Sequence, residues 1–242
     1  MSKSVGPMEA KYLTRPDLTA LIKKGLIAIL PIGSLEQHGP HLPLGTDTLL
    51  AEYLSKEVAK KAEAVIFPSL FYGYSWVWKE LEGTVTLTQD TLKKVVTESV
   101  ESLIRMGFKK ILLINGHDSN KMALKYIIRD LSESHDEQVL NIFYPEMSRI
   151  YAKYMESPTW NGIFHAEEFE TSLMLAMDES LVKMDLAVKE YPEVPPFYGY
   201  DESSLAYVSK TGVYGDATKA TKEKGEAMIR EFVEKILDLL NK

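Results

Sequence analysis

An apolar run, Leu26-Ile27-Ala28-Ile29-Leu30, passes directly into Gly33-Ser34-Leu35-Glu36-Gln37-His38-Gly39-Pro40-His41-Leu42-Pro43-Leu44-Gly45-Thr46-Asp47, and an amphipathic segment follows. No other feature constrains the fold as strongly. A buried strand, a polar glycine-punctuated turn and a helix in direct succession form the repeating unit of α/β proteins. The pattern recurs where Lys110-Ile111-Leu112-Leu113-Ile114 runs into Asn115-Gly116-His117-Asp118-Ser119-Asn120, with a helix expected from about Ser119. Open α/β sheets bind ligands beyond the carboxyl ends of their strands. Both polar clusters fall there.

The rest of the chain keeps the alternation. Helices are expected over Asp17–Lys24, closed by Gly25, and over Thr48–Ala62, where Leu49, Leu50, Tyr53, Leu54 and Val58 share one stripe. Asp90 reads as the cap of a helix that Gly107 closes, and Met147–Met155 and Ala217–Leu240 read as further helices. Strands are expected at Leu26–Ile32, Ala64–Phe67, Gly83–Thr88, Lys110–Ile114 and Val139–Tyr144. With no internal repeat or linker, the expectation is one α/β domain over residues 1–242.

Composition narrows the function. A formal charge of -7 argues against nonspecific nucleic-acid binding, which needs a basic face. No apolar run is long enough to span a bilayer, and Met1–Pro7 carries no signal-peptide core. A cytoplasmic protein with no membrane partner is therefore expected. The chain has no cysteine, so any metal must be held by imidazole and carboxylate, a donor set that suits zinc, manganese or iron. Of the five histidines, only His135 sits in a plainly solvated segment.

Glu36 and His38 are two apart, so in extended backbone their side chains reach one side and can meet one ion. Asp47 lies where a carboxylate bridges two ions or caps the next helix. His117, at the end of the second strand, is a metal or catalytic candidate, or else a helix-start residue bonded to backbone. Glu167, Glu168 and Glu170 suit a helix N-terminus electrostatically, and His165 precedes them. The aromatic segment Tyr72–Glu80, with Trp76 and Trp78, reads as a loop that lines a substrate site, makes a subunit contact or fills the core. Asn115 and Asn120 orient ligands or substrate, or shape their turn. The Pro- and Tyr-rich stretch 192–204 reads as a substrate-deciding loop.

These residues resemble the creatininase (creatinine amidohydrolase) family. The likeness rests on Gly33 through Asp47, on Asn115-Gly116-His117 with Asn120, on His165-Ala166 with Glu170-Thr171-Ser172, and on Gly212-Val213-Tyr214-Gly215-Asp216, in that order along nearly the whole chain. The resemblance implies a three-layer α/β/α sandwich with a mostly parallel sheet. It also implies two divalent metal ions per subunit, zinc first with manganese or iron as alternatives, and a homo-oligomer, often a homohexamer. Glu36, His38, Asp47 and His117 would be ligands, with Asp47 bridging, and His165 the catalytic histidine. A Glu that ligates in creatininase proper is Ser119 here, and Glu170 is the candidate replacement. The family's Glu before the catalytic His is Phe164, its aromatic-loop His is Trp78 and its Pro there is Glu82. The resemblance therefore implies the metal centre and the reaction type more strongly than creatinine as substrate.

The expected activity is metal-dependent hydrolysis of a non-peptide or cyclic amide C–N bond in a small molecule. Alternatives within the motif set are a formamide deformylase of a pyrimidine intermediate in flavin or deazaflavin synthesis and a peptide-trimming hydrolase of mycofactocin maturation. A non-catalytic metal-binding relative is a further alternative.

Overall fold

The computed structural model of the chain describes residues 8–201 and 204–241. Met1–Pro7, read above for a signal core, lies outside them, as do residues 202–203 of the 192–204 loop. Five strands form one sheet: β1 (Met8–Glu9), β2 (Ile27–Ile32), β3 (Ala64–Ile66), β4 (Lys110–Asn115) and β5 (Gln138–Ile142). Their order is β1-β3-β2-β4-β5, and every neighbouring pair is parallel. The principal helices are α1 (Arg15–Lys23), α2 (Thr46–Ala59), α3 (Gln89–Met106), α4 (Lys121–Ser132), α5 (Met147–Tyr154), α6 (Glu168–Asp178) and α7 (Lys222–Leu240). A short antiparallel pair, β6 (Lys189–Glu190) and β7 (Gly215–Asp216), stands apart.

Successive strand side chains point to opposite faces, and this splits the core in two. Ile111 and Leu113 of β4 meet Leu92, Val96 and Val100 of α3 and Leu124 and Ile127 of α4. Leu112 and Ile114 meet Leu50 and Leu54 of α2, Phe169 and Leu173 of α6, and Phe232 and Ile236 of α7. Each fully buried side chain of this kind contributes about 1.5–3 kcal/mol relative to exposure. The result is the expected three-layer α/β/α arrangement. From β2 the chain moves to β3 on one side, then returns to β4 on the other. The order thus reverses between β2 and β4, which opens a crevice beyond their carboxyl ends.

Several local expectations are corrected. Gly83–Thr88 forms no strand; only Val85 pairs, with Leu35. Its alternating threonines hold site loops instead, Thr84 Oγ1 accepting from Gln37 N–H at 3.1 Å and Thr86 Oγ1 from Ser75 N–H at 2.8 Å. Helix α3 is capped by Thr88, whose Oγ1 accepts from Thr91 N–H at 3.2 Å, while Asp90 sits in the first turn, where the helix dipole favours it. Helix α4 starts at Lys121 after a tight turn over Asp118–Asn120. Helix α7 starts at Lys222 because Thr221 supplies the cap.

Candidate metal centre

The loop after β2 supplies Glu36 and His38, both buried. Helix α2 begins at Thr46 after Gly45, so Asp47 is its second residue and not its cap. The Asp47 carboxylate turns toward the sheet edge. Its Oδ2 accepts from Ser34 Oγ at 2.6 Å and lies 2.9 Å from His117 Nδ1, and its Oδ1 lies 3.3 Å from His38 Nε2. This close approach needs Gly116, where an added Cβ would sit 2.1 Å from the Asp47 carbonyl oxygen.

Each imidazole is oriented from behind. His38 Nδ1 lies 3.1 Å from the Glu36 carbonyl, and His117 Nε2 lies 2.9 Å from the Tyr74 carbonyl. A proton on those nitrogens leaves His38 Nε2 and His117 Nδ1 as free lone pairs aimed at Asp47, the usual second-layer arrangement of metal-ligating histidines. Glu170 reaches the same point from the first turn of α6. Ala166, in a left-handed conformation (φ 51°), turns the chain there, and its N–H donates to Glu170 Oε2 at 2.6 Å. That oxygen lies 3.8 Å from His38 Nε2. The three acids are thereby separated in role: Glu167 caps α6 through Phe169 N–H, Glu168 pairs with Lys224 at 2.5 Å, and Glu170 faces the cluster.

Three groups of ligand atoms each fall within 4.8 Å: Glu36, Asp47 and His117; His38, Asp47 and Glu170; and Glu36, His38 and His165. Asp47 is common to the first two. Glu36 Oε2 and His38 Nε2 are buried with no hydrogen-bond partner. Buried polar atoms are normally satisfied, and a cation between these donors would satisfy both. The residues therefore fit a metal centre.

Without metal, charge is balanced by protons. Burial pushes the His38 and His117 imidazoles down, but the surrounding carboxylates outweigh it. Asp47 leads at His38 and Glu36 at His117, and both imidazoles are raised to about 10. Burial lifts Glu36, and it lifts Glu170 to about 7. Burial also works to raise Asp47, but the two imidazoles hold it well below the usual carboxylate range. His165 is driven the other way, by burial first and then by the charged His38 beside it, so it stays neutral.

His165 stacks on Trp78 (centroids 4.3 Å apart, planes 19° apart), and its Nδ1 lies 3.8 Å from Glu36 Oε1. The cluster floors a cavity of about 200 Å³. Val77, Trp78, Ile163, Phe164, Tyr198 and Leu205 wall it, and among the described residues lining it there is no Lys or Arg. Three predicted substrate residues are placed elsewhere. Trp76 lies outside the lining, with Lys79 Nζ 4.4 Å over its ring. Asn115 bonds the backbone of His117 on both sides of its amide. Asn120 bonds Gly33 O and Tyr74 N–H. These amides are used up holding the loops that carry the candidate ligands. Gln37 and Ser34 were not singled out in the sequence, and only their proximity to Glu36 hinted at them; Tyr198 lies in the 192–204 stretch read as a substrate-deciding loop.

The family profile for creatininase, creatinine amidohydrolase, matches residues 11–240. The chain belongs to the creatininase family. It is 32% identical to a creatinine amidohydrolase of Pseudomonas putida, over 99% of this chain and 97% of that one. It is 28% identical to a mycofactocin precursor peptide peptidase of Mycobacterium ulcerans (85% and 81% covered) and 26% identical to a 3-dehydro-scyllo-inosose hydrolase of Thermotoga maritima (95% and 80%). A crystal structure of creatinine amidohydrolase superposes with TM-score 0.85 at 31% identity, covering 99% and 97% of the two chains. Solved creatininases alike in fold include Zn-Zn and Mn forms. The creatininase-family fold and a residue cluster that could hold a metal thus coincide in this chain.

Proposed function

We propose that this creatininase-family hydrolase uses two divalent ions to cleave a C–N bond in a small, neutral, non-peptide or cyclic amide. One ion would be held by Glu36, Asp47 and His117, and the other by His38, Asp47 and Glu170. The observation that carries the reading is the sharing of Asp47 between two buried ligand groups, in which Glu36 Oε2 and His38 Nε2 have no hydrogen-bond partner. Zinc fits the imidazole and carboxylate donors, as do manganese and iron. Bound there, such ions supply charge that polarises an amide carbonyl and acidifies water near neutral pH.

The chain's own groups do the rest. His165, neutral and held by the Trp78 stack, offers a ring N–H as a hydrogen-bond donor to the departing nitrogen, where charge builds as the C–N bond breaks. Trp78, Phe164, Tyr198 and Leu205 pack against the substrate and exclude bulk water. The lack of a Lys or Arg among the described residues lining the cavity favours a neutral substrate over a phosphorylated pyrimidine. The cavity's small size favours a compact amide over a peptide segment. The protein would act in the cytoplasm as a homo-oligomer, in keeping with the family resemblance.

The test is metal content by mass spectrometry, together with hydrolysis of creatinine, formamides, cyclic ureides and a short peptide by stripped and metal-restored protein. Two ions per chain and turnover of a small amide only after restoration are expected. Equal rates with and without metal would remove the proposed chemistry.

A further inference from the structure

We propose that Gln37 fixes the tautomer of His165, keeping the ring proton on Nδ1 so that the ring meets the cluster as a hydrogen-bond donor and not as a metal ligand. This rests on the reading of His165 as the ring that serves the departing nitrogen. Proximity alone leaves the role open, because Glu36, His38 and His165 place ligand atoms within 4.8 Å of one another. Gln37 decides it. Its Oε1 accepts from Gly39 N–H at 3.0 Å, and its Nε2 donates to the Gly212 carbonyl at 3.1 Å. These backbone groups fix which end of the amide is which. Turning the amide over would set N–H against N–H and oxygen against oxygen. The second hydrogen on Gln37 Nε2 then faces His165 Nε2 at 2.8 Å.

That nitrogen must accept, so a neutral ring carries its proton on Nδ1, the nitrogen facing Glu36 Oε1 at 3.8 Å. Ligation would need a lone pair there. The Gln37 backbone carbonyl, 3.0 Å from His165 Nε2, would favour the opposite tautomer. The amide is nearer and locked on two sides, so it prevails. The lock explains Gly212 as well: at φ +81° a Cβ there would come 1.9 Å from Gln37 Oε1.

Zinc-loaded protein labelled with ¹⁵N-histidine tests this through long-range ¹H–¹⁵N correlation, with His165 assigned by its loss in His165→Gln. A protonated Nδ1 and an unprotonated Nε2 are expected. In Gln37→Leu only the carbonyl remains as partner, and the pattern should invert. Protein loaded with ¹¹³Cd should show cadmium coupling to His38 and His117 and none to His165. A wild-type ring protonated on Nε2, or cadmium coupling to His165 Nδ1, would overturn the proposal. Failure to bind zinc or cadmium at all would instead count against the metal reading, and the tautomer would still be legible in the metal-free protein.

Discussion

Gly116→Ala is the sharpest probe of how the fold holds the cluster together. A methyl at Gly116 would lie 2.1 Å from the Asp47 carbonyl oxygen and 2.9 Å from its carbon. Carbon and oxygen normally approach no nearer than about 3.3 Å, so the loop after β4 and the start of α2 must part by about 1 Å. No rotamer change relieves it, because the obstacle is backbone. Overpacking of this kind costs about 1–3 kcal/mol, which for a chain of this size lowers Tm by roughly 2–4 °C per kcal/mol. The same shift opens the 2.9 Å contact between Asp47 Oδ2 and His117 Nδ1. Misplacement by about 1 Å costs on the order of 10²-fold in rate. Circular-dichroism melts of stripped protein read the first effect, and metal content with turnover after restoration reads the second. Gly25→Ala is the control. Its φ of +81° carries a strain of about 1–2 kcal/mol, but nothing lies within 4 Å of the new methyl and the site is untouched. If Gly116→Ala kept full metal content and rate, the pairing of Asp47 with His117 could not be what assembles the centre.

Other substitutions separate the roles assigned above. Asp47→Ala should remove both ions and Glu170→Gln one, as read by mass spectrometry on dialysed protein; full metal content in Asp47→Asn would show that the shared carboxylate is dispensable. Lys224→Met leaves the buried Glu168 carboxylate with only Ser157 and the backbone of Glu156 and Ser157. Breaking a buried pair from one side costs about 3 kcal/mol or more, so a drop in Tm of roughly 10 °C is expected by calorimetry, and an unchanged melt would refute it. Trp78→Ala removes the ring stacked on His165 and part of the cavity wall. It should lower kcat on the amide that wild-type protein turns over, with metal content intact.

The α/β architecture was legible because its two central strands, β2 and β4, are short apolar runs that end in glycine and its helices carry stripes of matching period. Ile111 and Leu113, and Leu112 and Ile114, serve two cores that alternation alone assigns. The cluster was legible where candidate ligands follow a strand directly, as Glu36, His38 and His117 do. Glu170 needed the family resemblance, since three acids in one first turn look alike until Ala166 turns the chain and Lys224 claims Glu168. The misread strand at Gly83–Thr88 shows the limit of alternation. Period two records which threonines face inward, and here they face Gln37 and Ser75 in loops, with no sheet beside them. Asn115 and Asn120 show another limit. A polar amide beside a site reads as a substrate contact until its backbone partners are known.

Protons and metal compete for one set of atoms, and this sets how stability should vary with pH. In stripped protein the His38 and His117 imidazoles are raised to about 10 from an unfolded value near 6.5. Their contribution is therefore fully present below about pH 6.5 and lost as pH rises through about 10. Glu170, raised to about 7, acts in the same direction at lower pH, because its carboxyl is preferred neutral in the fold. Asp47, held below its usual range, contributes stability that is lost only under acid conditions. His165, held neutral, opposes the imidazoles, but only below its ordinary value near 6.5. From pH 7 to 10 the stripped protein should thus lose stability steadily. Metal binding displaces the same protons and strengthens as they leave. At 100-fold excess over Kd an ion stabilises by about 2.7 kcal/mol, and Kd itself falls with pH. The gap in Tm between restored and stripped protein should therefore widen from pH 7 to 9, and titration calorimetry should record proton release in proportion to metal bound. A gap that stayed constant, with no protons released, would mean that cations and protons do not share Asp47, His38 and His117.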